Sequence, residues 1–440
     1  METKNKFESG QILILLVLGI VVLLGFTALA LDGGMIYSDR RLSQNVADAS
    51  SLAGGGEAAL TMESIGLVAW QWENCNQAEQ AITDAEEAAI AQALDNDFVI
   101  DNNTLDHNGA RAECTFEDYG SFVDKYIDVT TLISFTTDTS FAHFIYNGPV
   151  RNQVEAVTRV RPRNYMANGN AIVAHRVDCP NSNTGGVHFD GNAEVDVNGG
   201  GVFSNACLKA AGSVDVGVEY GEINYTTDYS ESGNPTIDPP PGKSGSALLE
   251  QFFVVDPNPP QCADTDYVDH TGPDTIYPGN YSQIKINNGV LNMEPGLYCL
   301  SGNFSINGGV VNGNGVTIYI TNGDFDSSAN AEVHLTAPPD NPDPLPAIPG
   351  NAGLLIYLPL GNDGEVSLLG NVDSEYVGTV YAADPDSMIE VGGTGGVETL
   401  ETYQTQLIGG TVFVHGNATI DITFNGGDVH EPPAFIELHK

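Results

Sequence analysis

The chain has 440 residues, and its 15 Lys and Arg against 58 Asp and Glu give a formal net charge of -43 at pH 7. Such a charge repels nucleic acid and anionic lipid headgroups, so it excludes a nucleic-acid partner. The 41% hydrophobic and 8% aromatic residues exclude a disordered acidic chain, and the 50 glycines predict many tight turns rather than long helices beyond the N-terminus.

The first predicted element is a membrane-spanning helix. Residues 11–31 contain no charged side chain, and about 20 apolar residues are enough to cross a bilayer core as a helix. Lys4 and Lys6 precede this run, which predicts that residues 1–9 are cytoplasmic and that everything after Asp32 lies outside the cell. We therefore expect a single-pass protein of the cell membrane, with a transmembrane helix at 10–31 and extracytoplasmic C-terminal domains.

Two kinds of processing are alternatives to an uncleaved anchor. A signal peptide usually has an apolar region of about 7–15 residues and a small-residue exit site, whereas this run is longer and leads into Asp32. Cleavage between Gly10 and Gln11 would follow the manner of prepilins, but Leu15 stands where prepilins usually carry Glu. Both observations favour the uncleaved anchor.

The helix is predicted to continue beyond the membrane through residues 32–60. Leu42, Val46, Ala49 and Ala53 recur at spacings of four, three and four, which places them on one helical face. We expect the three glycines at 54–56 to weaken or end the helix.

The segment from the apolar run to these glycines resembles the N-terminal segment of TadG-like Flp pilus-assembly proteins. The resemblance covers about 50 residues and is carried by Gly10-Gln11, Ala30-Leu31-Asp32, Arg40-Arg41-Leu42, Gln44-Asn45-Val46-Ala47-Asp48-Ala49 and Ser51-Leu52-Ala53-Gly54. It implies a tight-adherence pilus system or a related surface locus. The partners that it implies are the lipid bilayer, pilus-assembly proteins and other TadE/TadG-type pseudopilins.

Residues 61–165 are predicted to form a membrane-proximal α/β domain. A helix is expected at 77–97, where Ile82, Ala85, Ala89 and Ala93 share a face, and strands are expected at 126–135 and 153–161. In the last strand, alternate residues would face the core, namely Val154, Ala156, Thr158 and Val160. The order resembles the small α/β region of TadE/TadG-type pseudopilins. The DxSxS metal site of many TadG-like proteins is missing, since Asp138-Thr139-Ser140 continues with Phe141.

Residues 166–440 have a different sequence pattern, in which short segments typical of β-strands are separated by Gly-Asn, Asn-Gly and Gly-Gly. A phrase recurs at Asn192-Ala193-Glu194-Val195, Asn330-Ala331-Glu332-Val333 and Asn417-Ala418-Thr419-Ile420, and residues 279–323 give two near-repeats about 23 residues apart. Such repetition predicts a right-handed parallel β-helix or solenoid, and the last part of the chain resembles β-helix domains of bacterial surface proteins. An antiparallel β-sandwich, with Asn-Gly in hairpin turns, is the alternative.

Six cysteines without a CxxC pair are typical of disulfides in an exported chain rather than of a zinc or thioredoxin-type site. Sequence order suggests the pairs Cys75–Cys114, Cys179–Cys207 and Cys262–Cys299, although fifteen pairings are open and buried free thiols are the alternative.

No catalytic, cofactor-binding or metal-binding residue is predicted. The acidic residues sit mostly at turns, as Asp190, Asp324, Asp326 and Asp363 do, and are interpreted as solvated. His415, His430 and His439 show no ligand spacing. Beyond residue 165, the few bases argue against an anionic polysaccharide as substrate, since they are only Arg176, Lys209, Lys243, Lys285 and Lys440.

These observations lead to one main hypothesis and two alternatives. The main one is a non-enzymatic, membrane-anchored structural or adhesive protein of an Flp pilus or related envelope system. The first alternative is a surface carbohydrate-active enzyme or glycan-binding module on a β-helix, which needs converging carboxylates with a perturbed pKa. The second is a binding module stabilised by calcium on Asp-rich turns.

Overall fold

The computed structural model describes residues 9–104, 107–141, 150–180, 185–253, 262, 267–340, 346, 348–371, 373–393 and 400–439. The chain divides into two compact units. Unit 1 comprises Met1–Phe116, Lys125–Pro162 and Ala434–Lys440, and unit 2 comprises Glu117–Asp124 and Arg163–Pro433. Unit 2 is therefore inserted into the sequence of unit 1, and the final seven residues, which the sequence placed in the distal region, belong to unit 1.

Unit 1 begins with a single helix, α1 (Ser9–Ser64), of 56 residues. The long N-terminal apolar helix is thus confirmed, but the expectation that the glycines at 54–56 would end it is wrong. A Cβ on Gly54 would lie 2.7 Å from the carbonyl oxygen of Ala85, and one on Gly55 would lie 2.5 Å from Cγ2 of Thr158. These glycines let neighbouring elements approach the helix axis closely, and that packing stabilises the helix where glycine alone would weaken it.

A second helix, α2 (Glu79–Asp95), follows α1 in sequence. Ala85, Ala89 and Ala93 are fully buried as predicted, while Ala81 takes the buried place that was expected for Ile82, which is half-buried. Two short 3-10 turns, Ala69–Gln71 and Cys75–Ala78, connect the two helices. Small alanines on the inner face allow α2 to lie close against α1.

The sheet of unit 1 has four strands in the order β1, β2, β3, β31. These are β1 (Gly109–Asp118), β2 (Val123–Thr137), β3 (Val150–Arg161) and β31 (Phe435–Leu438). β3 pairs in antiparallel fashion with β2 on one side and with β31 on the other.

The predicted strands of unit 1 lie within β2 and β3, and the four alternating residues of β3 are buried as predicted. The sequence did not indicate β1 or β31. β1 does alternate, because Ala110, Ala112, Cys114 and Phe116 belong to or pack against the core while charged residues lie between them, but small alanines are not typical of strands. β31 is a half-exposed edge strand of four residues, which is too short to give a clear apolar pattern.

The described residues of unit 2 form one sheet of 27 strands, β4 to β30. The first ten are β4 (Ile172–Ala174), β5 (Gly186–Gly191), β6 (Glu194–Asn198), β7 (Val202–Ser204), β8 (Leu208–Gly212), β9 (Asp215–Glu219), β10 (Ile223–Tyr225), β11 (Tyr229–Gly233), β12 (Thr236–Asp238) and β13 (Gly242–Lys243). The next ten are β14 (Val268–Thr271), β15 (Thr275–Ile276), β16 (Gly279–Ile286), β17 (Val290–Met293), β18 (Gly296–Leu300), β19 (Phe304–Ile306), β20 (Gly309–Asn314), β21 (Val316–Ile320), β22 (Phe325–Ser327) and β23 (Ala331–Thr336). The last seven are β24 (Leu354–Leu358), β25 (Glu365–Leu369), β26 (Glu375–Ala382), β27 (Met388–Gly393), β28 (Leu400–Gly409), β29 (Thr411–Gly416) and β30 (Thr419–Thr423).

Every strand register assigned in this sheet is parallel. A strand pairs with the second or third strand after it, so Val195 faces Val216 and Leu291 faces Val311. The prediction of a mainly β chain with a long N-terminal apolar helix is confirmed, and since the large sheet is parallel, the antiparallel sandwich is wrong. Asn288-Gly289 and Asn307-Gly308 lie between consecutive strands that pair with other repeats, and Asn312-Gly313 lies within β20, so these dipeptides do not form hairpin turns.

The order of pairing differs from the order of the chain. β4–β6 pair with β7–β9, which pair with β10–β12, and β13 completes this end. Residues 244–267 then lead to β14, whose repeats continue up to β28–β30, and these last strands pair with β4–β6. In chain order, the strands therefore begin in the middle of the sheet and continue to one end. They resume at the other end, and the last strands lie beside the first ones.

One face of this sheet forms a continuous apolar core. Successive strands stack similar side chains in register, as Ile389, Val412, Val187 and Leu208 do, and all four are fully buried. Adding one more repeat extends these rows, because each repeat buries its inner face against its neighbours.

The opposite face carries an apolar row of its own, which we call the outer row. In register it consists of Cys299, Tyr319, Tyr357, Tyr381, Ile408, Val173 and Phe203. The tyrosine rings of the row stack with centroids 5.3 and 5.5 Å apart. Leu248 and Phe252, which lie between β13 and β14 in the chain, pack in the same cluster as this row, and Cys262 bonds to Cys299 at its end. These residues therefore cover part of a sheet face that would otherwise be exposed and apolar.

Candidate functional site

The N-terminal half of α1 exposes an apolar surface. Its large hydrophobic residues from Leu13 to Leu31 are each 48–71% exposed. Within the described residues, one helix is long and apolar enough to cross a membrane, and none of its most apolar 18-residue stretch is buried. Such exposure on a water-soluble surface would be costly, so this half of α1 fits a membrane anchor.

Asp32 follows this apolar run and is only 5% exposed. Its Oδ1 accepts a hydrogen bond of 2.7 Å from the backbone N–H of Ser140, and the N–H of Phe141 lies 3.2 and 3.1 Å from its two oxygens. A single carboxylate therefore holds the backbone that follows β2 against the helix. In the sequence this Asp marked the end of the apolar run and formed part of a family motif, and no contact was predicted for it.

The six cysteines form three disulfides, and the pairing suggested by sequence order is confirmed. The Cα–Cα distances are 5.7, 6.0 and 5.8 Å for Cys75–Cys114, Cys179–Cys207 and Cys262–Cys299. Each bond joins segments within one unit.

The acidic turn residues singled out in the sequence do not converge on one point. Asp326 and Asp363 are exposed, whereas Asp190 accepts a 2.7 Å bond from the N–H of Gly191 and Asp324 accepts a 3.0 Å bond from that of Glu365. Over the part of the chain that the structure describes, no group of three or more His, Cys, Asp or Glu side chains is arranged to hold a metal ion.

A polar cluster that the sequence did not predict lies on parallel strands β25, β27 and β29. We call it the Glu365 cluster; it consists of Glu365, Ser367, Glu390 and His415. Nε2 of His415 lies 2.7 Å from Oε1 of Glu390, and Oγ of Ser367 donates to Oε2 of Glu390 at 3.0 Å. The ring of Phe413 stacks on that of His415 with centroids 4.5 Å apart.

The two glutamates of the cluster have pKa values shifted in opposite directions. Burial raises the pKa of Glu365 to about 7, and the charge of Glu390 and a hydrogen bond to it contribute to the rise. The hydrogen bond from His415 lowers the pKa of Glu390, and the bond from Ser367 acts in the same direction. At neutral pH Glu390 is therefore ionised, whereas Glu365 is only partly ionised because its pKa is close to that pH.

The carboxylate of Glu390 lies between a ring nitrogen of His415 and the hydroxyl of Ser367. The cluster therefore offers hydrogen-bond donors and acceptors beside the aromatic ring of Phe413.

The signal that could have found this cluster is the length of the local repeat. Ser367 faces Glu390, and Gly392 faces His415, each 23 residues apart. The sequence suggested a period near 23 from residues 279–323, where the observed spacing is closer to 20, as between Leu291 and Val311. Applying that period further along the chain would have brought Ser367 and Glu390 together.

Unit 2 also contains a polar cleft of about 300 Å³. The residues that line it include Thr336, Pro338, Val377, Asp340 and Asp428. Glu431 lines it as well and pairs with Arg163 at 3.5 Å. The cleft is thus acidic, in keeping with the charge of the whole chain.

Comparison with known proteins gives a match at the N-terminus. Residues 10–59 match the family described as putative Flp pilus-assembly TadE/G-like. No curated protein and no solved structure matches the chain. The matched segment contains the exposed apolar stretch, Asp32 and the closely packed glycines of α1, and it confirms the resemblance seen in the sequence.

Proposed function

We propose that this chain is a membrane-anchored, extracytoplasmic structural or adhesive protein associated with Flp pilus assembly, and that it is not an enzyme. The observation that carries the proposal is the family match over residues 10–59, which coincides with the exposed apolar half of α1. The helix holds the chain in the bilayer, with the N-terminus in the cytoplasm and both units outside. Its partners are other pilus-assembly proteins of the TadE/TadG type.

In this proposal unit 2 is a right-handed parallel β-helix that projects from the membrane. The parallel registers and the repeat of about 20 to 23 residues support a solenoid. A solenoid presents long, regular side faces, and such faces suit lateral contact with other surface molecules. Three disulfides fit an oxidising environment outside the cytoplasm.

Deletion of the encoding gene from the producing cell tests this proposal. We expect weaker surface attachment or reduced pilus display, restored by the full chain but not by a chain that lacks residues 10–31. Protease added to intact cells should digest units 1 and 2. If the deletion leaves attachment, pilus display and envelope integrity unchanged, the proposal fails.

The role of the Glu365 cluster needs a separate arm in the same cells. A chain with Glu365→Gln and Glu390→Gln should restore attachment as fully as the parent chain, because it changes only the polar cluster. Restoration by the parent chain together with failure of the doubly substituted chain would favour the second candidate below.

The second candidate is a glycan-binding module, and the Glu365 cluster is the observation that favours it. Glu390, His415 and Ser367 form a network beside the Phe413 ring. Neutral glycans are the appropriate ligand class, since the chain carries a net charge of -43. Calorimetric titration with neutral oligosaccharides should show binding that Glu390→Gln weakens, while release of shortened products would indicate an enzyme instead.

A further inference from the structure

Ser140 and Phe141, which follow β2, are hydrogen-bonded to α1 at one position along the helix axis. Both oxygens of Asp32 are used, by the N–H groups of Ser140 and Phe141, at distances of 2.7 to 3.2 Å. Oγ of Ser140 also lies 4.0 Å from Sδ of Met35, less than one turn further along the helix. Residues 140 and 141 therefore sit at the level of residues 32 to 35 of α1.

That level coincides with the end of the apolar run. Residues 11–31 form about 30 Å of helix at 1.5 Å per residue, which matches the thickness of a bilayer core. If this run spans the membrane, Asp32 lies at its boundary, where a charged side chain can leave the hydrocarbon. The N–H of Phe141 is within hydrogen-bonding distance of that same carboxylate, so the backbone of Phe141 lies at the depth of Asp32.

Phe141 is a large apolar side chain that remains 39% exposed within unit 1. At the membrane boundary, transfer of an exposed aromatic ring from water to the interfacial region of the lipid is favourable. Anionic headgroups do not suit a chain with a net charge of -43, so the fitting surface is that of zwitterionic lipid.

We propose that Phe141, held by Asp32, is a second membrane contact, which inserts into the headgroup region of the leaflet where α1 leaves the bilayer. This inference rests on the membrane anchoring proposed above. The contact would fix unit 1 against the membrane surface, since a lone helix leaves the attached sheet free to tilt. Asp32 acts here as a positioning residue that sets the depth of the ring.

Fluorescence quenching in vesicles tests the contact. The full chain is reconstituted into phosphatidylcholine brominated either near the headgroup or near the chain ends, and each variant is compared with the parent, which contains Trp70 and Trp72. The added emission of Phe141→Trp should shift to the blue and be quenched more by the shallow bromines than by the deep ones.

Two matched variants separate failure of this contact from failure of the anchor. Val21→Trp, in the middle of the apolar run, should be quenched by the deep bromines, whereas Tyr220→Trp, which replaces an 85% exposed residue of unit 2, should not be quenched. If Val21→Trp is quenched and Phe141→Trp is not, the contact is wrong and the anchor stands. If Val21→Trp is not quenched, both are wrong.

The role of Asp32 has its own readout. In the Phe141→Trp chain, Asp32→Ala should lower the shallow quenching, because the backbone at 140 and 141 loses its acceptor. Asp39→Ala removes a carboxylate seven residues further along the same helix and should leave the quenching unchanged. Equal quenching of Phe141→Trp combined with Asp32→Ala and of Phe141→Trp combined with Asp39→Ala would show that Asp32 does not set the depth of the ring.

Discussion

Glu365 combines partial burial with a charged neighbour, Glu390, and both disfavour its ionised form. Its folded-state pKa, about 7, is above the ordinary value of 4.5. The contribution of this group to the free energy of unfolding is therefore fully present below pH 4.5, and it is lost as the pH rises through 7. Glu390 acts in the opposite sense, since its lowered pKa stabilises the fold above its ordinary value and that contribution is lost in acid.

Replacing Glu365 by Gln should therefore stabilise unit 2 at pH 8. An amide keeps a donor for Glu390 but cannot ionise, so we expect a gain of roughly 1 kcal/mol, which is well below the full linkage value because the site is partly exposed to solvent. The gain should vanish below pH 4.5. Urea unfolding of the parent and the variant at pH 4 and pH 8 measures it.

The control for this prediction is Glu219→Gln, which changes an exposed glutamate at the end of β9. It should alter the unfolding free energy by less than about 0.5 kcal/mol at either pH. A Glu365→Gln chain that is less stable than the parent at pH 8 would contradict the pKa assigned to Glu365.

At this scale the sequence predicted some contacts and missed others. The three disulfides join the cysteines in sequence order, at separations of 39, 28 and 37 residues, so each bond links segments that are near one another in the chain. Glu390 and His415 are 25 residues apart and meet diagonally across β27 and β29, so their contact depends on the register of the repeat. One sequence, with several repeat lengths, does not reveal that register.

Among the elements, α1 shows how packing decides the effect of glycine. Gly54 lies under α2 and the sheet, whereas a Cβ on Gly56 would have no atom within 4 Å. Both positions are helical, so the higher helix propensity of alanine would favour the helix by about 1 kcal/mol at each. The two sites therefore differ only in the space around them.

We expect Gly54→Ala to destabilise unit 1 by about 1–2 kcal/mol, since its methyl group would lie 2.7 Å from the carbonyl oxygen of Ala85 and 2.8 Å from Cγ1 of Val129. Gly56→Ala should stabilise it by up to about 1 kcal/mol. Thermal unfolding of the full chain in detergent, followed by circular dichroism, compares the two variants. A stabilising Gly54→Ala would show that α1 does not pack this closely.

The elements that the sequence predicted are those with a strong local pattern. The apolar run, the alanine face of α2 and the alternation of β3 are each visible within one segment. The end predicted for α1 at residues 54–56 was wrong because it treated glycine as a local breaker, while the contacts that stabilise the helix there come from residues about 30 to 100 positions away. Local propensity is a weak guide where tertiary packing is this close.

For the whole molecule, the sequence revealed the type of sheet but not the order of its repeats. The phrases at Asn192 and Asn417 are similar in sequence, and the structure places them side by side, with Nδ2 of Asn192 donating to Oδ1 of Asn417 at 3.0 Å. The third copy, at Asn330, begins β23, which pairs with β20 and β26. The phrase thus marks a recurrent bend and carries no information about which repeats are neighbours.

The order of pairing predicts that unit 2 can be circularly permuted. Residues 161 and 435 are cross-strand partners in unit 1, and Arg163 pairs with Glu431 in unit 2, so the two ends of unit 2 lie close together. A Gly-Ser linker of a few residues from 433 to 163, with new termini between residue 253 and Cys262, would make the chain follow the sheet from end to end. Every strand pair and both disulfides of unit 2 are kept, and the permutant and the unpermuted 163–433 fragment both lack residues 117–124 of the unit. The permutant should therefore unfold in urea within about 1 kcal/mol of that fragment. Loss of the β-sheet circular dichroism signal in the permutant alone would mean that β28–β30 do not return to β4–β6, and the assigned order of repeats would be wrong.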